Sequence, residues 1–186
     1  MKRIVILASG TGSLAEAIFN ADFSEQGGEV VALICDQPDA QVLKRAEQRH
    51  VESYTIPMLP DREQWNKELE TLIAALRPTL VVSAGFMRIL PKEITSRFKI
   101  INSHPSLLPL FPGAHAVRDA LAAGSHETGT TIHWVDAGID TGQIIVQEKL
   151  AINSDESEES LHERIKIVER GLIVATIRRL LPTLES

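Results

Sequence analysis

The sequence predicts an α/β fold: one doubly wound, mostly parallel sheet with helices on both faces. Short β-rich runs recur along the chain, they are continuously apolar, and stretches of helical period separate them. A strand covered on both faces is apolar at every position, whereas a sheet with one wet face alternates, so continuous runs point to a buried parallel sheet.

The apolar runs fall at residues 4–8, 30–35, 80–84 and 100–101, with a further short one at 54–56. Helical periodicity fills 14–20, 42–49 and 62–76 between them, which places the doubly wound part over roughly residues 1–100. Residues 130–135 and 144–150 read as two more strands that extend the sheet, with antiparallel pairing across the turn-rich 136–142. A long amphipathic stretch, 156–181, opens on Asp155-Glu156 and stops at Pro182, as expected of a closing helix. No linker, repeat or low-complexity segment interrupts the chain, and at 186 residues a single domain spanning 1–186 is expected.

The composition, 44% hydrophobic and 24% charged, is that of a soluble globular protein. A formal charge of −6 argues against a nucleic-acid partner, which needs a broad basic surface to displace counterions. A small anion remains compatible, since a few backbone amides and an arginine bind phosphate whatever the net charge. The single cysteine, Cys35, excludes an internal disulfide and reads as a small core residue in a reducing, cytoplasmic compartment. The first apolar run is too short for a signal segment or a membrane span.

In doubly wound sheets ligands collect where loops leave the carboxyl ends of the strands. Three such loops have unusual content: 9–13, 85–88 and 102–105. In Ser9-Gly10-Thr11-Gly12-Ser13, between a strand and a helix, the glycines let backbone amides approach an anion. An ordinary turn reads the same way. The loop lacks the lysine of a Walker motif, and position 15 is Ala where a dinucleotide fingerprint needs Gly. Four histidines at 104, 115, 126 and 133 have no metal-ligand spacing, so no metal is expected.

Asn102 and His104 are two residues apart at a strand end and point the same way, able to meet one substrate atom. An amide donates to a developing oxyanion and an imidazole moves a proton, although a capped strand end with a solvated histidine has the same spacing. A carboxylate beside such a histidine would stabilise its charged form. Asp140 and Asp136, both in the 136–142 loop, qualify equally. Arg62 and Arg88, if functional, would take a carboxylate, while Trp65 and Trp134 read as packing residues and 154–160 as a solvated acidic stretch.

Taken together, 8–13, 83–90, Asn102-Ser103-His104-Pro105-Ser106-Leu107-Leu108-Pro109 and Asp140-Thr141-Gly142 resemble the phosphoribosylglycinamide formyltransferase family over essentially the whole chain. The resemblance implies transfer of a formyl group from 10-formyltetrahydrofolate to the amine of glycinamide ribonucleotide, without metal. It implies that Asn102, His104 and Asp140 are catalytic, with His133 as a supporting partner, and that Gly12, Ser13 and Leu14 bind the ribonucleotide phosphate. Met87, Arg88, Ile89, Leu90, Arg62 and Asn102 fall on folate-binding positions. It places the phosphate half at about 1–100 and the folate and catalytic elements at about 85–145, in a monomer or homodimer. Two departures stand out: Leu14, where many members have Asn, and the closing helix around Lys166, Val168 and Arg170, where others offer Gln. Related readings are a formyltransferase acting on methionyl-tRNA, which carries a further C-terminal domain, and a hydrolase of the same folate, which usually has an N-terminal extension. A silent folate- or nucleotide-binding module is the reading from another class.

Overall fold

The computed structural model describes residues 1–185. Seven strands form one sheet in the order β3-β2-β1-β4-β5-β6-β7. β1 (Lys2–Ala8), β2 (Gly28–Cys35), β3 (Ser53–Thr55), β4 (Leu80–Ser83) and β5 (Ile100–His104) run parallel. β6 (Glu127–Trp134) pairs antiparallel with β5, and β7 (Ile144–Ala151) antiparallel with β6.

The continuous apolar runs have the expected cause. Along β1, Ile4, Ile6 and Ala8 enter a core with Ala15, Ile18, Val42, Ile173 and Ile177, whereas Val5 and Leu7 enter a second core with Trp65, Leu69, Ile73 and Ile94. One face is therefore covered by α1 (Ser13–Phe19), α2 (Gln41–Gln48) and α6 (Glu158–Leu180), and the other by α3 (Arg62–Leu76) and α4 (Lys92–Arg97). A fifth helix in chain order, α5 (Ala116–Ala122), packs through Val117 against Leu161 and Ile165 of α6. Cys35 and Trp65 are buried core residues as expected, and the indole Nε1 donates to the Ile56 carbonyl at 3.0 Å.

Helix starts follow local chemistry. The Asp61 carboxylate accepts from the amides of Glu63 (2.9 Å) and Gln64 (3.1 Å) and so opens α3. Ser157 caps α6 through the Ser160 amide. The acidic stretch before α6 is less solvated than its composition implies: Glu156 accepts from the Asn153 amide, Ser160 and Arg164, and its side chain is 3% exposed.

The strand order puts a crevice between β1 and β4, because the chain leaves β1 toward β2 on one side and β4 toward β5 on the other. The loops 9–13 and 84–91 flank that crevice and are tied together. Ser9 N–H donates to the Gly85 carbonyl at 3.1 Å, and the Met87 amide donates to Ser9 Oγ at 2.8 Å.

Candidate active site

Asn102 and His104 lie within β5, so the two-residue period turns both side chains to one face and Ser103 to the other. β6 supplies His133 directly opposite Asn102. The loop after β6 folds back over the strand end and brings Asp140 to both histidines. Its Oδ2 lies 3.3 Å from His104 Nδ1 and its Oδ1 lies 3.5 Å from His133 Nε2. The Gly113 amide fixes the carboxylate from the β5–α5 loop, donating to Oδ2 at 2.8 Å.

Asp136 is placed differently. It is exposed, and its Oδ1 accepts from the Gly138 amide and from Thr141 Oγ1, which makes it the residue that shapes the turn. Geometry thus separates two aspartates that composition left equal.

Ring tautomers follow from the partners. His133 Nδ1 lies 2.9 Å from the Trp134 carbonyl, which only accepts, so that nitrogen carries hydrogen. Its Nε2 lies 3.3 Å from Asn102 Nδ2 and faces Asp140 as well, and an amide nitrogen carries two hydrogens, so Asn102 keeps at least one for a ligand. His104 Nε2 likewise donates to the Phe111 carbonyl at 2.8 Å, and Nδ1 faces Asp140. A proton on Nδ1 turns that contact into an ion pair.

Burial dominates the titration of His104. It pushes the imidazole below its ordinary value, and the Phe111 hydrogen bond and the Asp140 charge only partly offset this, with His133 adding to the depression. Asp140 acts upward, as the sequence leads one to expect of a neighbouring carboxylate, but a ring 4% exposed loses more by desolvation. Burial also acts upward on Asp140, yet the facing His133, the Gly113 amide and His104 outweigh it and hold the carboxyl below the ordinary carboxylate range. The resting pair is therefore a neutral imidazole beside an ionised carboxylate.

The opposite side of the β5 end borders a cavity of about 340 Å³, walled by the 9–13 loop, Leu14, Ala84, Gly85, Met87, Ser103, Pro105 and α6. Gly12, Ser13 and Leu14 all line it. Gly12 sits at φ 76°, and a side chain there would overlap Val42 of α2, so the loop's path next to the cavity requires glycine. Arg45 of α2 braces the same loop by donating to the Thr11 carbonyl at 2.8 Å while pairing with Glu16.

From α6 the cavity receives His162, Lys166 and Glu169. Glu169 is 8% exposed and accepts from Ser103 Oγ at 2.7 Å and Thr130 Oγ1 at 3.5 Å, and burial pushes its carboxyl up. Glu169 and His162 escaped sequence reasoning. A signal was available for the first, since Glu169 continues the buried stripe of Leu161, Ile165 and Ile173, where a carboxylate is out of place. Arg170 does not border the cavity, whereas Lys166 does.

Beyond Met87 the crevice carries exposed Met87 and Ile89 and two arginines. Arg88 Nε donates to the buried Asp36 carboxylate at 2.6 Å, and Arg62 donates to the Ile89 carbonyl at 2.7 Å while lying over the Trp65 ring. Burial and the Arg88 charge lower the Arg62 pKa. Leu90 is 5% exposed and packs in the core with Phe86 and Ile94, so its side chain holds the loop in place. Among the described residues no group of three His, Cys, Asp or Glu is arranged to hold a metal ion, and no helix is long and apolar enough to cross a membrane.

Known proteins resemble this chain along nearly its full length. The family model described as formyl transferase matches residues 2–177. A phosphoribosylglycinamide formyltransferase of Mycobacterium tuberculosis is 44% identical over 96% of this chain and 84% of its own length, and one of Bacillus subtilis 38% over 97% and 95%. The crystal structure of glycinamide ribonucleotide transformylase 1 from Symbiobacterium toebii superposes with a TM-score of 0.91 at 35% identity, covering 97% of this chain and 88% of that one. With its switch-point crevice, its Asn102, His104 and Asp140 cluster and a family match along nearly its full length, the chain belongs to the formyl transferase family.

Proposed function

We propose that this protein transfers the formyl group of 10-formyltetrahydrofolate to the amine of glycinamide ribonucleotide, giving the formylated ribonucleotide and tetrahydrofolate. The observation that carries the reading is the convergence of Asn102, His104 and Asp140 at the end of β5, beside a cavity bordered by the 9–13 loop.

The amine attacks the formyl carbon, and the carbonyl oxygen becomes an oxyanion. Asn102 donates its free amide hydrogen to that oxygen. His104, neutral at rest, takes the proton released as the amine becomes an amide and delivers it to N10 as the carbon–N10 bond breaks. The proton passes from amine to folate and no other reactant is consumed. Asp140 holds its charge throughout and stabilises the transient imidazolium. Both ring nitrogens of His104 already face protein acceptors, so substrates reach the ring by opening the Phe111 or the Asp140 contact. Both partners lie in loops at positive φ, 52° and 54°.

Gly12 and Ser13 offer backbone amides to the ribonucleotide phosphate, with Leu14 packing beside it and Lys166 adding charge. Glu169, a buried acceptor on the same cavity, suits the sugar hydroxyls. Met87, Ile89 and the backbone around Leu90 take the flat folate rings, and Arg62 and Arg88 its carboxylates. All of these groups lie in one chain, so a monomer or a homodimer would serve, and the reading places the protein in the cytoplasm.

The test is to mix purified protein with both substrates and follow loss of the formyl group from folate. Transfer that requires the ribonucleotide is expected, with inorganic phosphate competing against the ribonucleotide and not against folate. Release of formate without the ribonucleotide would make the protein a hydrolase.

A further inference from the structure

α6 presents His162, Lys166 and Glu169 to the cavity, spaced four and three residues apart so that they share one face of the helix. Lys166 is shared with Glu163, 2.7 Å away, and Glu169 is held by Ser103 and Thr130. His162 is different. The residue is half-buried and lines the same cavity as the 9–13 loop, and no hydrogen bond among the described residues contributes to its titration. Leu14, in the first turn of α1 just after that loop, also lines the cavity. A ring with no hydrogen-bond partner among the described residues, near an ammonium group and on the same cavity as the 9–13 loop, can donate to an anion bound there.

We propose that His162 is a direct ligand of the ribonucleotide phosphate and binds it as imidazolium, so that formation of the complex takes up a proton. This deepens the functional reading above and rests on its placing the phosphate at the 9–13 loop. In the free protein, burial and the Lys166 ammonium lower the His162 pKa, and Glu163 and Glu158 oppose them. Charged groups on the neighbouring elements are already engaged: Glu16 of α1 with Arg45, and Arg118 with Asp119 on α5. A phosphate dianion at hydrogen-bond distance reverses the balance, because an opposite charge favours the protonated ring. The ring is then mostly neutral before binding and charged after it. Its contribution to affinity grows as pH falls through the bound-state pKa toward the free-state one.

Calorimetric titration of the full chain with glycinamide ribonucleotide, at pH 7 in buffers of different ionisation enthalpy, reads the proton directly. Wild type is expected to take up a substantial fraction of a proton. His162→Asn should bind roughly tenfold more weakly, the loss of one charge-assisted hydrogen bond, and take up correspondingly less. His162→Lys should restore affinity without restoring the uptake, since its charge is present before binding. The KM for folate should not follow these changes. His162→Asn with wild-type affinity and wild-type uptake would overturn the inference and leave the functional reading intact. A wild-type protein that does not bind the ribonucleotide would overturn both.

Discussion

At the scale of single residues the proposed chemistry turns on His104, its pKa lowered by burial, beside Asp140, whose carboxyl is held below the ordinary range. His104→Ala should fold normally and lose about 10²–10⁴ in turnover, measured as formyl transfer at saturating substrates. Wild-type turnover would remove His104 from the mechanism. The two aspartates give a sharper contrast. A general base works only when unprotonated, so activity falls as pH drops through the His104 pKa. Burial sets that pKa low and Asp140 works against the shift. Asp140→Asn should therefore move the acid limb of the pH–rate profile to lower pH and cost turnover, while Asp136→Asn, which alters only a turn, should do neither. NMR titration of the His104 ring in both variants checks the assignment, and a shift with Asp136→Asn alone would reverse it. The Asn102 and His104 pair was legible in the sequence because a strand's period of two fixes which side chains converge. Asp140 and Asp136 were not separable, because a loop's path is set by contacts such as Gly113 to Asp140 that lie 27 residues apart.

At the scale of elements, helices and strands long enough to show a period were legible, and α3 runs over the residues its pattern marks. α4 and α5 were not, with six and seven residues and no side-chain cap; α1, as short and uncapped, was legible because it directly follows the glycine-rich 9–13 turn. The long α6 was legible as amphipathic, but its periodicity hides a polar residue of the cavity wall, since the face that buries Leu161 and Ile165 also presents Glu169. The loop after β4 offers a test of how one element holds another. Arg88 links it to Asp36 at the end of β2, with Asp36 almost fully buried and Arg88 partly exposed. Arg88→Ala should raise the KM for folate about tenfold, spare the ribonucleotide, and destabilise the protein by about 1–3 kcal/mol because it strands a buried carboxylate. Adding Asp36→Asn should recover most of that stability in urea melts and none of the folate affinity. If the double variant regains folate affinity, Arg88 positions the loop and does not bind.

At the scale of the whole molecule, Glu169 ties a wall of the cavity to the sheet, because it joins α6 to β5 through Ser103 and to β6 through Thr130. Its pKa is raised by burial, so above the ordinary glutamate value the folded protein keeps a proton that the unfolded chain releases. The unfolded state then binds fewer protons, and stability falls as pH rises from about 4.5 toward the folded-state pKa. His104 acts in the opposite sense: its pKa is lowered, so the unfolded chain takes up a proton first as pH falls below about 6.5, and stability falls with it. The two groups therefore oppose each other in the mildly acidic range, and substitution separates them. Glu169→Gln keeps a hydrogen-bonding group of the same shape without a charge. It should melt higher than wild type at pH 8 and no higher at pH 4, where the wild-type carboxyl is already neutral, and it should bind the ribonucleotide more weakly at both. Melts across that range, with and without ribonucleotide, provide the check. A Glu169→Gln protein less stable than wild type at pH 8 would mean that the carboxylate is charged and well satisfied in the folded state, and that the wall of the cavity is held by the ion itself.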